Sequence, residues 1–185
     1  MTVPVYKVLL IGEPNVGKSS IIRQLLLGEF DETYHATTGV DLSAVAVNVD
    51  SFTPVILTVI DLGGQDDFSS LRTQYYKGAH YSVLVYDITS KSSFECLPEW
   101  YAGILENLDI SHTGHERLPG ILVGNKIDLE SEREVTSKDG RLYADLIGWQ
   151  FWESSAKTGE NIRNIFTRIA KEIYSMHPPH ELRST

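Results

Sequence analysis

The sequence predicts an α/β fold: a six-stranded, mostly parallel sheet with one antiparallel strand and helices on both faces. Three observations predict it. Short apolar stretches alternate with helix-periodic stretches through most of the 185 residues. Runs such as Val83-Leu84-Val85 and Ile121-Leu122-Val123 are apolar at every position, as in strands covered on both faces. One pair of strand-like stretches is joined only by a short turn around Asp50-Ser51-Phe52, which makes a hairpin and hence one antiparallel strand.

In chain order the expected strands are Val5–Ile11, Leu42–Val49, Val55–Ile60, Ser82–Tyr86, Ile121–Val123 and Gln150–Glu153. Each is an apolar or alternating run bounded by polar or glycine-containing residues. The expected helices are Lys18–Leu27, Ser70–Lys77, Ser92–Leu108, Ser137–Ile147 and Asn161–Tyr174, where apolar residues recur at helical spacing. Residues 1–175 are expected to form one domain and 176–185 a tail, because no linker, repeat or low-complexity tract divides the chain. On such sheets ligands bind beyond the carboxyl ends of the strands. The polar motifs of this chain fall at those ends.

Composition narrows the function classes. With 42% hydrophobic and 22% charged residues the chain reads as globular. A formal net charge of −9 argues against nucleic acid and against broad adhesion to anionic lipid. The single cysteine, Cys96, excludes an intramolecular disulfide and is expected to pack as a small hydrophobe. No apolar run is long enough to span a bilayer, and Val8–Ile11 is too short for a signal peptide. A reducing, cytoplasmic setting fits. His112 and His115 have an H-x-x-H spacing, but the polar loop around them offers no third ligand.

Four motifs carry chemistry. Gly12-Glu13-Pro14-Asn15-Val16-Gly17-Lys18-Ser19 fits G-x-x-x-x-G-K-[ST] between a strand and a helix, the P-loop of nucleoside-triphosphate binders. Its glycines let the backbone wrap a phosphate. The amides of Asn15 to Ser20 and the helix N-terminus favour an anion. Lys18 can reach the β- and γ-phosphates, and the Ser19 hydroxyl can ligate Mg²⁺. In Asp61-Leu62-Gly63-Gly64-Gln65, Asp61 can hold Mg²⁺ through water, the Gly64 amide can approach a γ-phosphate and Gln65 can orient an attacking water. The same stretch also reads as an ordinary strand-ending turn. In Asn125-Lys126-Ile127-Asp128 the Asp128 carboxylate can accept from guanine N1–H and N2–H₂, a donor pair that adenine lacks. In Ser155-Ala156-Lys157 the backbone amides can meet guanine O6. Either of the last two alone is also a common polar loop.

The order and spacing of the four motifs resemble the Ras superfamily of small GTPases, and within it the Rab branch, from Lys7 to about Tyr174. Further Rab-like segments are Thr37-Thr38-Gly39-Val40-Asp41, Tyr75-Tyr76-Lys77-Gly78-Ala79, Leu84-Val85-Tyr86-Asp87-Ile88-Thr89 and Ser93-Phe94-Glu95…Trp100. The resemblance implies that Phe30 stacks on guanine, Tyr34 lies over the phosphates, and Thr37 offers its hydroxyl to Mg²⁺ and its amide to the γ-phosphate. It makes Phe30–Asp41 and Leu62–Lys77 the two switches, through which effectors, exchange factors and GTPase-activating proteins would act. GTP and GDP are the implied ligands, Mg²⁺ the cofactor, and Gln65, Lys18 and Thr37 the catalytic residues.

The chain departs from the Rab pattern in several places. Ile60-Asp61-Leu62-Gly63-Gly64-Gln65 stands where most Rabs read Trp-Asp-Thr-Ala-Gly-Gln, and the second glycine is expected to loosen the backbone. Pro14 stands where a Gly or Ser usually faces the γ-phosphate, which slows the expected hydrolysis. Asp109–Gly120 is longer than usual. The sequence ends His180–Thr185 without the prenylated cysteines of most Rabs, so membrane attachment would need a lipidated C-terminus that this sequence does not include. Thr38–Leu42 and Leu118–Gly124 also resemble the unprenylated Rab-like GTPase of intraflagellar transport. The expected setting is thus the cytosolic face of endomembranes or the cilium. The favoured reading is a switch that hydrolyses GTP slowly unless an activating protein assists; the rival is a GTP-binding structural subunit that does not hydrolyse.

Overall fold

The computed structural model describes residues 2–30, 37, 39–63, 74–107 and 118–179. Of the expected features, Tyr34, Gly64, Gln65, the His112/His115 pair, the end of the tail and most of the Asp109–Gly120 loop lie outside the described residues. So do parts of both switch segments and the start of the Ser70–Lys77 helix, whose residues 74–76 are helical.

Six strands form one sheet: β1 (Val5–Ile11), β2 (Val40–Asn48), β3 (Pro54–Leu62), β4 (Tyr81–Asp87), β5 (Gly120–Asn125) and β6 (Gln150–Ser154), in the order β2-β3-β1-β4-β5-β6. β2 runs antiparallel to β3, and every other pairing is parallel. At the hairpin tip the Asp50 carboxylate accepts from the Phe52 N–H (2.8 Å) and the Thr53 hydroxyl (3.0 Å). An Asp side chain that satisfies backbone two residues ahead makes the turn itself.

The helices are α1 (Lys18–Leu27), α2 (Lys91–Glu95), α3 (Leu97–Asn107), α4 (Ser137–Ile147) and α5 (Ile162–Met176). Alternation along β1 shows how they are layered. Tyr6, Val8 and Leu10 point into a core shared with Ile21, Ile22 and Leu25 of α1 and Ile165, Phe166 and Ile169 of α5. Leu9 and Ile11 point into the other, with Leu97, Trp100 and Ile104 of α3 and Ala144 and Ile147 of α4. Successive side chains of a strand face opposite ways, so a buried parallel sheet needs helices on both sides.

The structure corrects the expected elements at three points. The helix expected over Ser92–Leu108 is two helices that meet at Cys96-Leu97-Pro98. Pro98 has no N–H for the turn before it, so the ladder is interrupted there. Cys96 therefore caps α2 instead of sitting inside a helix, and it packs half-buried on the second core. β3 continues through Leu62 and β5 through Asn125, which puts Asp61 and Asn125 inside the sheet. Finally, Ile127–Glu132 forms two short 3₁₀ turns that meet at a kink at Leu129, where a loop was expected.

Candidate functional site

Four connections gather beyond the carboxyl ends of β1, β3, β5 and β6. In the first, Gly12 has φ +146° and a Cβ there would lie 2.2 Å from the Val85 carbonyl oxygen of β4. Gly17 has φ +94° and a Cβ there would lie 2.4 Å from the Asn125 carboxamide nitrogen. No other residue fits either position, so the loop closes tightly on its neighbours. Asn15 takes φ 67°, which Asn tolerates better than most side chains. α1 starts at Lys18 with no side-chain cap, so its leading amides are not spent on a capping group. Lys18 is buried, and its ammonium donates to the carbonyls of Gly12 and Glu13, both at 2.8 Å. The charge is thus held within the loop. Pro14 and Ser20 are half-buried in the same turn, and the Val16 side chain packs in the core beneath it. The loop is also tied to α3, because the Trp100 indole N–H donates to the Glu13 carboxylate at 2.7 Å.

Beside this loop three oxygen-bearing side chains meet. The Ser19 and Thr37 hydroxyls are 2.8 Å apart, and the Ser19 hydroxyl donates to Asp61 Oδ2. Asp61 is 1% exposed, and its Oδ1 has no hydrogen-bond partner among the described residues. Burial pushes its carboxyl above the usual carboxylate range, against the opposing pull of the Ser19 hydroxyl and the Lys18 charge. A buried carboxylate oxygen left unsatisfied beside two hydroxyls is a donor set for a hard cation such as Mg²⁺, which takes oxygen ligands and leaves the remainder to phosphates and water. Among the described residues no group of three His, Cys, Asp or Glu side chains forms a cage of its own.

Thr37 reaches this point because of Gly63. The Gly63 N–H donates to the Gly39 carbonyl at 3.0 Å. A Cβ on Gly63 would lie 2.8 Å from the Thr37 carbonyl oxygen and 2.9 Å from that of Gly39. The expectation that this glycine loosens the backbone is corrected: it is a point of close packing, where the missing side chain admits the neighbouring segment.

The remaining connections, after β5 and β6, meet beside the first loop. Asn125 is buried and uses both ends of its carboxamide internally. Its Nδ2 donates to the Val16 carbonyl (2.9 Å), and its Oδ1 accepts from the Ala156 N–H (3.1 Å) and the Ser154 hydroxyl (3.2 Å). It therefore rivets the first loop to the last one, a role its place in the motif did not reveal. Lys126 has φ 72° and pairs with Asp87 Oδ2 at 2.6 Å; Asp87 Oδ1 in turn accepts from the Thr89 N–H and hydroxyl. The exposed Asp128 carboxylate accepts from the buried Ser155 hydroxyl, which also accepts from the Thr158 N–H. Across from Asp128, the Lys157 ammonium lies 5.9 Å from the centroid of the Phe30 ring, which is 39% exposed. Of the expected site residues, the structure thus brings Gly12 to Ser20, Thr37 and Asp61 together on one side, and Phe30, Asn125, Lys126, Asp128 and Ser155 to Lys157 on the other. The supporting partners Asp87, Glu13 and Trp100 stand within the quoted segments, but their roles were not legible there, because the contacts that reveal them join distant stretches of chain.

Comparison with known proteins agrees with this geometry. The Ras family model matches residues 7–175. Ras-related protein Rab-13 of Canis lupus familiaris is 38% identical over 168 residues, 91% of this chain and 79% of that protein. Ras-related protein Rab5 of Nicotiana tabacum is 36% identical over 172 residues, 93% of this chain and 82% of that protein. Rab-13 of Bos taurus gives 38% identity over the same share as its canine counterpart. A phosphate loop closed by two obligatory glycines, an oxygen cluster beside it and matches over nine-tenths of the chain lead to one conclusion: the chain belongs to the Ras family, as a Rab-like small GTPase.

Proposed function

We propose that the chain is a trafficking switch whose GTP-bound form is read out where the Thr37–Gly39 segment meets β3. The observation that carries this is the meeting of Ser19, Thr37 and Asp61 beside the buried Lys18. Asn15 to Ser20 and Lys18 hold the phosphates, and Ser19, Thr37 and Asp61 (through water) would hold Mg²⁺. Bound there, Mg²⁺ supplies neutralisation of the charge that develops on the phosphate oxygens. Lys18 adds a fixed positive charge on the same side. Its ammonium exchanges the Gly12 and Glu13 carbonyls for phosphate oxygens, which is a small movement. Gln65 orients the water, and the Gly64 amide and Tyr34 complete the γ-phosphate pocket. Asp128 reads guanine, helped by the Ser155, Ala156 and Lys157 loop, while Phe30 covers the ring.

The useful output is binding. With GTP bound, Thr37 would help hold Mg²⁺, the Phe30–Asp41 and Leu62–Lys77 segments would bind an effector, and hydrolysis would release it. The Rab-type matches support a role in membrane traffic on a cytosolic surface; no described helix is long and apolar enough to cross a membrane. Residues 1–175 are the switch domain and 176–185 its tail. Single-turnover hydrolysis tests the reading. Native protein with Mg²⁺ should convert bound GTP slowly, and Gln65→Leu should lose most of that rate with GTP affinity nearly intact. Equal rates in the two proteins would remove Gln65 from the mechanism.

A further inference from the structure

We propose that Gln24 of α1 is a positioning residue for the base slot, and that it sets how long a guanine nucleotide stays bound. This inference rests on the guanine reading above. The slot is framed by Phe30 and Lys157, which come from segments far apart in the chain and whose side chains approach to 5.9 Å. Gln24 bridges the backbones behind both. With its carboxamide nitrogen turned to the two carbonyls, it donates to Glu29 O at 3.1 Å and to Ala156 O at 3.2 Å. Glu29 immediately precedes Phe30, and Ala156 immediately precedes Lys157.

The surroundings are shaped for this bridge. Gln24 lies in a crevice between the end of α1 and the start of α5, lined also by Gly28, Gly159 and Asn161. Gly159 has φ +82°, and a Cβ on it would lie 2.7 Å from the Gln24 carboxamide. Gly28 ends α1 with φ +67° and donates its N–H to the Gln24 carbonyl at 3.0 Å, so the backbone of Gln24 fixes the same turn that leads to Phe30. A carboxamide nitrogen has two N–H donors, which is what two carbonyls require. A side chain without a donor cannot make this bridge.

The test compares release of GDP carrying a fluorescent ribose label from native, Gln24→Leu and Gln24→Lys proteins, with Mg²⁺ and after chelation of it. Loss of two neutral hydrogen bonds should speed release from Gln24→Leu by about five- to twentyfold. Lysine keeps a donor of similar reach, so Gln24→Lys should stay within about threefold of native. Chelation should accelerate release by the same factor in all three, because Ser19, Thr37 and Asp61 are untouched. Native release rates in Gln24→Leu would overturn the proposal. So would equally fast release from the Leu and Lys variants, which would make side-chain volume, not the bridge, the cause. A change in the chelation factor would overturn it too, by placing the effect on the phosphate side. Failure of the native protein to retain GDP at all would instead overturn the guanine reading on which the proposal rests.

Discussion

Replacing Gly63 by alanine should weaken GTP relative to GDP. The new Cβ would start 2.8 Å from the Thr37 carbonyl oxygen and 2.9 Å from that of Gly39, where ordinary contact begins at 3.4 Å. Backbone oxygens cannot rotate aside as a side chain can. Residues 37 and 39 must therefore retreat by about 0.6 Å, the difference between 3.4 and 2.8 Å. That retreat stretches the Gly63 N–H bond to Gly39 at 3.0 Å and draws the Thr37 hydroxyl away from Ser19, now 2.8 Å distant. Overpacking of this kind costs about 1–3 kcal/mol. On the proposed reading Thr37 would engage metal and γ-phosphate only with GTP, so the cost would fall on that state. The GTP-to-GDP affinity ratio should drop by about tenfold. Competition between the two nucleotides for a fluorescent analogue, in excess Mg²⁺, measures it. An unchanged ratio with a lowered melting temperature in both states would refute the reasoning and leave Gly63 as a packing residue alone.

Other outcomes follow from single sites. Asp61→Asn should stabilise the GDP-bound protein in chelator by about 1–2 kcal/mol in denaturant titrations, since it removes a buried carboxylate with an unsatisfied oxygen, while making nucleotide retention less sensitive to Mg²⁺. The sign follows from burial: with its pKa raised above 3.8, Asp61 binds more protons folded than unfolded. Metal-free stability therefore falls as pH rises through that window, and pH-dependent melting of the Asn variant should lose this component. Tyr86→Phe should stabilise the protein by about 1 kcal/mol in denaturant titrations, because the Tyr86 hydroxyl is fully buried with no partner among the described residues. A loss of stability would mean that the hydroxyl is satisfied. Asp128→Asn should lose GTP affinity and gain xanthosine triphosphate, since an amide can donate to the C2 oxo group where a carboxylate cannot; unchanged GTP affinity would remove Asp128 from base recognition.

Much of this molecule can be read from its sequence because the relevant signals are local. Uniformly apolar runs marked β4 and β5, the Asp50 turn marked the hairpin, and the spacing from Gly12 to Ser19 marked the phosphate loop. What was hidden depends on contacts between distant segments. Asn125 is recognisable in its motif, but its bonds to Val16, Ser154 and Ala156 exist only once three connections are brought together. Gly63 illustrates the same limit with the opposite sign. Glycine suggests freedom when only neighbours in sequence are considered, yet here residues 37 and 39 fill the space its side chain would take. The break between α2 and α3 is different: Pro98 is a local signal for it, one that apolar spacing alone, which runs on through Trp100 and Ile104, does not register.

The central claim is that this site holds a guanine nucleotide together with Mg²⁺. Displacement of labelled GDP by unlabelled nucleotides, with Mg²⁺ and in chelator, tests it most directly. GTP and GDP should displace the label stoichiometrically, ATP should fail at roughly a thousandfold excess, and chelation should speed release at least about tenfold. Displacement by ATP as readily as by GTP, or release indifferent to Mg²⁺, would contradict it.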